Sequence, residues 1–145
     1  MRLVIQRVKQ SKVMVENEVV GQIGPGLLVL IGIGEGDVEG AVDALVQKLS
    51  KLRIMSDEND KMNLSLKDTN GEILAVSQFT LYADTSAGNR PSFVHAAAPA
   101  SAEPLYELFV QKLRDGGIEV ATGKFGAYMQ IESVLDGPVT IILEG

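Results

Sequence analysis

The sequence predicts an α/β domain with a mixed, mostly antiparallel sheet and two helices packed on one side of it. Three observations carry this. About eight apolar or alternating runs are bounded by turn residues. Two stretches, 38–52 and 101–113, place apolar residues at helical spacing. The runs are joined both by hairpin signals and by a helical crossover, which calls for both antiparallel and parallel pairing. The 145 residues read as one domain, 1–145, and 46% hydrophobic content supplies its core.

In chain order, Leu3 to Lys9 reads as a first strand, and Ser11 opens a second with Val13 and Val15 on one face. Glu16-Asn17-Glu18 is a polar turn, and Val19 to Ile23 returns as the hairpin partner. Gly24-Pro25-Gly26 breaks the chain, and the apolar run Leu27 to Ile33 is a central strand. Asp37 is placed to cap a helix whose buried face carries Val38, Val42, Leu45, Val46, Leu49 and Leu52. Arg53-Ile54-Met55 is a short strand. Ser56 to Gly71 is a polar surface excursion, tacked down by Met62, Leu64 and Leu66. Asn70-Gly71 is a hairpin-type turn signal, and Glu72 to Leu81 follows as a strand.

Tyr82 to Ala100 lacks periodicity, and loops of this length are often functional. A second helix starts at Ser101 with Pro104 in its first turn, and Gly116-Gly117 stops it. Ile118 to Ala121 is a short strand. Ala127 to Val134 is another, with Met129, Ile131 and Ser133 on one parity. Asp136-Gly137-Pro138 is a tight turn, and Val139 to Leu143 is the last strand.

Composition narrows the chemistry. There is no cysteine, which removes disulfides, thiolate catalysis and Cys-ligated metals. The single histidine, His95, argues against a histidine metal site, and any Ser-His-Asp triad must use that one residue. A net charge of −6 argues against a long nucleic-acid track but is compatible with gripping one end through a small basic patch. No signal-peptide pattern opens the chain and no apolar run spans a bilayer, so the expected location is cytoplasmic.

The residues that stand out are Ser77-Gln78-Phe79-Thr80-Leu81, a polar end on the apolar strand Ile73-Leu74-Ala75-Val76. Unpaired buried hydroxyls and amides cost about 1–3 kcal/mol each. The stretch therefore closes an internal network or faces a pocket where a substrate completes one. Gly32-Ile33-Gly34-Glu35-Gly36 resembles a dinucleotide turn, but Asp37 replaces the third glycine and Glu35 would repel a pyrophosphate; a plain strand-to-helix turn is the better reading. Asp57, Glu58 and Asp60 read as a solvated turn, and His95 as an exposed loop residue. Arg7 shares the parity of Leu3 and Ile5, so it needs an internal carboxylate or a substrate phosphate. From the residues alone Gly137-Pro138 is a trans turn, since cis occurs in only about 5–6% of X-Pro bonds. A cis bond would instead align two carbonyl oxygens as an acceptor for an ammonium group.

Five segments in order then resemble the D-aminoacyl-tRNA deacylase family over essentially the whole chain. They are Met1 to Val8 with Gln6-Arg7-Val8, Gly24-Pro25-Gly26-Leu27-Leu28-Val29-Leu30, Ser77-Gln78-Phe79-Thr80-Leu81, Arg90-Pro91-Ser92-Phe93, and Asp136-Gly137-Pro138-Val139-Thr140. Leu135 stands where the family often has Asn, and Tyr128 where it often has an acidic residue.

The resemblance implies a homodimer of β-β-α layered subunits. It implies hydrolysis of the ester that joins a D-amino acid, or glycine, to the 3′-terminal adenosine of tRNA, with L-aminoacyl-tRNA rejected. It implies that Gly137-Pro138 is cis and reaches into the partner subunit's site, where its carbonyls bind the substrate ammonium. Ser77, Gln78, Phe79 and Thr80 are the implied catalytic segment, and Gly137, Pro138, Met129 and Arg7 the implied substrate-binding residues. No metal or cofactor is expected. Thr80 has no evident base for a nucleophilic role. The implied route uses backbone N–H groups near Phe79 and Thr80 on the carbonyl oxygen, with the tRNA 2′-OH assisting water. A non-catalytic module that binds the tRNA 3′ end, and an editing deacylase for an L-amino acid, are the alternatives.

Overall fold

In the computed structural model, which describes Met1–Gly145, the chain forms eight strands and two α-helices. In order these are β1 (Arg2–Val15), β2 (Glu18–Ile23), β3 (Gly26–Gly32), α1 (Glu39–Lys51), β4 (Met55–Ser56), β5 (Met62–Leu64), β6 (Glu72–Ser77), α2 (Pro99–Asp115), β7 (Val120–Thr122) and β8 (Gln130–Glu144). The main sheet has the order β2-β1-β3-β6-β7, with β8 on the remaining edge of β1. The first half of β1 pairs antiparallel with β3, from Arg2↔Gly32 to Val8↔Gly26, and its second half pairs with β2. The β3–β6 and β6–β7 pairings are parallel, so the sheet is mixed.

Alternation along the strands separates two cores. Leu3, Ile5, Val29, Ile31, Ile73 and Ala75 pack with the buried faces of α1 and α2. On the opposite face Val8, Val13, Ile23, Leu28, Leu74 and Val76 form a smaller cluster. The sheet curls around that second cluster: a Cβ on Gly21 of β2 would lie 2.4 Å from the Thr122 carbonyl oxygen of β7. The result is three layers, two of sheet and one of helices, as the family resemblance implied. The Lys112 ammonium ties the helices together, 3.1 Å from Glu39 and 2.6 Å from Asp43.

Several local expectations give way. The first two predicted strands are one, because β1 bends at register shifts around Val8 without ending. The last two are also one. Gln6 pairs with Thr140 and Val8 with Leu135, so Asp136-Gly137-Pro138 is looped out of a continuous β8 and is no turn between strands. Proline has no N–H for the ladder, so a bulge is the way a strand passes through it. The strand expected over Glu72 to Leu81 stops at Ser77, and Phe79–Tyr82 is a 3₁₀ turn.

Asp37 does not cap α1. Its Oδ2 accepts from the Gly34 N–H at 2.7 Å and its Oδ1 from the Met1 ammonium at 2.6 Å. The second helix opens at Pro99, where proline is favoured, so Pro104 lies inside it and not in the first turn. Asn70, at φ 52°, ends a 3₁₀ turn and leads into β6, which pairs parallel to β3; no hairpin forms there. Of the three tacking residues Leu66 is buried while Met62 is exposed.

Candidate active site

The polar strand end leaves the sheet at a defined point. The Gln78 N–H donates to the Ile31 carbonyl at 2.8 Å. Gln78 then takes φ −146° and ψ 83°, and the chain turns into the 3₁₀ segment. Beyond the ends of β3 and β6 this leaves a groove of about 690 Å³. Fourteen of its eighteen lining residues are apolar, so the few polar groups present set the orientation of whatever binds. Ser77, Gln78 and Tyr128 bring the polar side chains, and the rings of Phe79 and Phe93 meet edge to face at 5.0 Å. A larger polar groove, about 840 Å³, lies by Lys12 and Glu72. Three of its four charged groups already have partners: Lys12 sits 2.9 Å from Glu132, and Glu72 accepts the Gly24 N–H at 2.7 Å.

Ser77, Gln78, Phe79 and Met129 are brought together in the apolar groove. Thr80 is exposed outside it, and its hydroxyl is bonded to the Gln78 amide nitrogen. No histidine or carboxylate lines the groove. His95 is exposed, with Nε2 3.9 Å from Asp84. What the Phe79–Thr80 step does offer is backbone: the first N–H groups of a 3₁₀ turn have no partner within it.

A family model described as D-Tyr-tRNA(Tyr) deacylase matches residues 4–144. The chain belongs to this deacylase family. It is 55% identical over 144 residues to a D-aminoacyl-tRNA deacylase of Thermotoga petrophila, covering 99% of this chain and 97% of the relative. It is 54% identical to one of Clostridioides difficile, with the same coverage. Among solved structures it superposes on a c-Myc DNA unwinding element binding protein with a TM-score of 0.94 at 41% identity, over 100% of this chain and 99% of the other. A probable eukaryotic D-amino acid tRNA deacylase, at 19% identity and a TM-score of 0.83 over 98% and 97% of the two chains, shares the fold.

In this deacylase Gly137, Pro138 and Arg7 lie away from the groove of their own chain. The Gly137-Pro138 bond is cis, as the resemblance implied and against the trans turn read from the residues alone. Gly137 has φ +129°, and a Cβ there would fall 2.8 Å from Val139 Cγ2 and 2.9 Å from its nitrogen, so only glycine fits. Arg7, 7% exposed, donates from Nη1 to the Ile54 carbonyl at 2.8 Å. Its Nε lies 3.2 Å from the Asp136 carboxylate and 3.3 Å from that residue's carbonyl oxygen. These donors serve protein partners, of which Asp136 adjoins Gly137. The same strand leaves Ile131, Val134, Leu135 and Ile142 exposed.

The other marked residues have local duties. Gly34 carries no Cβ because one would lie 2.7 Å from the Tyr82 ring. Asp57 accepts the N–H groups of Asn59 and Lys61, which hold its carboxyl below the ordinary 3.8, with Lys61 the larger influence. The sequence marked Tyr128 only as a departure from the family pattern, and it did not single out the rest of this groove wall, Phe125 and the run Ala96-Ala97-Ala98-Pro99. A signal was present in that run, since small residues in a long aperiodic loop allow close approach to a ligand. Phe125 lies between Gly123 and Gly126, and a Cβ on Gly123 would sit 2.6 Å from Met129 Sδ.

Proposed function

We propose that the groove beside Ser77–Phe79 holds the esterified 3′ end of tRNA, and that Gly137-Pro138 of a second subunit closes it. Family membership makes the chain a D-aminoacyl-tRNA deacylase, a hydrolase acting on the ester of D-aminoacyl-tRNA. The observation that carries the finer reading is a separation. Gly137-Pro138 stands on an edge strand with exposed apolar side chains, outside the groove of its own chain. An exposed apolar edge strand is a surface that pairs or is covered. A homodimer built through β8 covers it and carries Gly137-Pro138 toward the other groove.

In the completed site the Gly137 and Pro138 carbonyls accept the substrate ammonium, and the space left at Cα admits a D side chain or none. L-aminoacyl-tRNA is thereby rejected and glycyl-tRNA accepted. The Phe79 and Thr80 amides stabilise the oxyanion, and the tRNA 2′-OH assists the attacking water. Such preorganised donors contribute about 3–4 kcal/mol each at an oxyanion. Met129 lines the floor against the ester end, and Arg7 holds the Asp136-Gly137 step in place for the substrate ammonium. The reaction clears mischarged tRNA in the cytoplasm.

Incubation with D-tyrosyl-tRNA and L-tyrosyl-tRNA in parallel tests this reading. Rapid release of D-tyrosine with the L-ester intact is expected. Hydrolysis of neither supports a module that only binds the tRNA 3′ end. Preferential hydrolysis of the L-ester contradicts the assignment of the selective pair.

A further inference from the structure

A groove of about 380 Å³ lies at the C-terminal end of α1, lined by Ala44, Gln47, Lys48, Lys51, Leu52 and Arg53. It brings together three cations and no carboxylate, on a chain with 19 acidic residues against 13 basic. None of the three forms a salt bridge, unlike Arg2, Arg7, Lys12 and Lys112, and among the cations without one these three share a single groove. Favourable interaction with the helix dipole accounts for Lys48 and Lys51, in the last turn. It does not account for Arg53, which follows the helix, is held by the Asn63 backbone and side-chain oxygens and faces Asp68 outside the groove.

The place of this groove gives it meaning. Arg53 precedes Ile54, whose carbonyl accepts from Arg7, and Arg7 also binds Asp136 next to Gly137. The Arg53 end of the groove is therefore linked, through Ile54 and Arg7, to the chain's own Gly137-Pro138 element. Arg7 pairs with Leu27 near the start of β3, while the active groove opens past the end of that strand.

We propose that Lys48, Lys51 and Arg53 form a phosphate-binding surface for the body of the tRNA whose 3′ end lies in the other subunit's groove. This rests on the reading that Gly137-Pro138 completes the site of the partner. Phosphate is the ligand class that fits three cations that form no salt bridge and share a groove with no carboxylate in its lining, and a charged tRNA is the substrate that brings it. Each subunit then has two tasks: it cleaves the ester on one tRNA and grips the backbone of the tRNA on the other subunit.

The test replaces Lys48, Lys51 and Arg53 together by glutamine and compares D-tyrosyl-tRNA with 3′-O-D-tyrosyl-adenosine, which has no backbone phosphate. KM for the tRNA should rise about tenfold or more, and its salt dependence should become shallower by about one log unit per log unit for each cation lost. Hydrolysis of the adenosine ester should be unchanged, which also shows that the variant folds. An unchanged KM and salt slope, or an equal loss on the adenosine ester, overturns the proposal.

Heterodimers keep this separate from the interface reading. With Gly137→Ala on one subunit and the three glutamines on the other, the surviving site should show the raised KM. With all four changes on one subunit, it should show the wild-type KM. The reverse pattern assigns the cations to their own subunit's site and overturns the proposal. A protein that sediments as a monomer overturns the interface reading instead, and the comparison of tRNA with adenosine ester still decides whether the cations bind phosphate.

Discussion

Arg7 lies across the β1–β8 ladder from Asp136, with its Nε 3.2 Å from the carboxylate and 3.3 Å from the carbonyl oxygen of that residue. The same guanidinium reaches the Ile54 carbonyl from Nη1 at 2.8 Å. One side chain thus fixes the segment after α1 and the residue before Gly137. Arg7→Met should lower stability by about 1–3 kcal/mol, because the Ile54 carbonyl is left without its partner. Deacylation should fall further than unfolding explains at a temperature where the variant is fully folded. Chemical denaturation paired with the D-tyrosyl-tRNA assay checks both. Lysine lacks the planar fork and should not restore activity.

Gly137→Ala places a methyl group at φ +129° and 2.8 Å from Val139 Cγ2. The backbone must move, and a displacement near 1 Å at a positioning element can cost about 100-fold in rate. The expected result is a loss of at least about tenfold in kcat/KM on D-tyrosyl-tRNA, together with weaker discrimination against L-tyrosyl-tRNA. Steady-state kinetics on the two esters measures both.

Phe79 is the first residue of its 3₁₀ turn, a position that tolerates proline. Phe79→Pro removes one N–H and the ring, while Phe79→Ala removes the ring alone. The proline variant should be slower than the alanine variant by about 100- to 1000-fold in kcat, the usual effect of losing one oxyanion donor. Thr80→Ala should stay within a few-fold of wild type, because the hydroxyl stands outside the groove. Single-turnover rates on D-tyrosyl-tRNA separate these cases.

Three carboxylates contribute to stability in acid. Asp57, Asp68 and Asp84 are held below the ordinary 3.8, foremost by the backbone N–H groups of Lys61, Ser65 and Ser86 respectively. A depressed folded-state pKa means that the unfolded chain binds more protons in this range. Their contribution to stability is therefore complete above 3.8 and is lost as pH falls through the lower folded values. Thermal melts from pH 6 downward should show this loss begin near that value. Asp57→Asn, Asp68→Asn and Asp84→Asn together should flatten it.

The layer arrangement was legible because alternation and helical spacing are local records of burial. Leu3 and Ile5 face the helices from the one parity on which their spacing put them. What the residues did not reveal depended on partners distant in sequence. Nothing near Asp136-Gly137-Pro138 tells a turn from a bulge; pairing with β1 on both sides of it decides. Asp37 has the composition of a cap, but the Met1 ammonium and the Gly34 N–H take its oxygens. In the groove the strand end Ser77-Gln78-Phe79 was conspicuous as polar residues after an apolar run. Phe125 and the alanines of the long loop become neighbours of that end only through the fold.

The most direct test of a site shared between subunits is complementation. Phe79→Pro damages a groove, and Gly137→Ala damages the element offered to the other groove. Each homodimer should be nearly inactive. When the two are unfolded together and refolded, half of the dimers are mixed and each has one intact site, so D-tyrosyl-tRNA deacylation should return to about a quarter of the wild-type rate. If mixing restores nothing while mixed dimers form, Gly137-Pro138 does not serve the partner's groove and the account is contradicted.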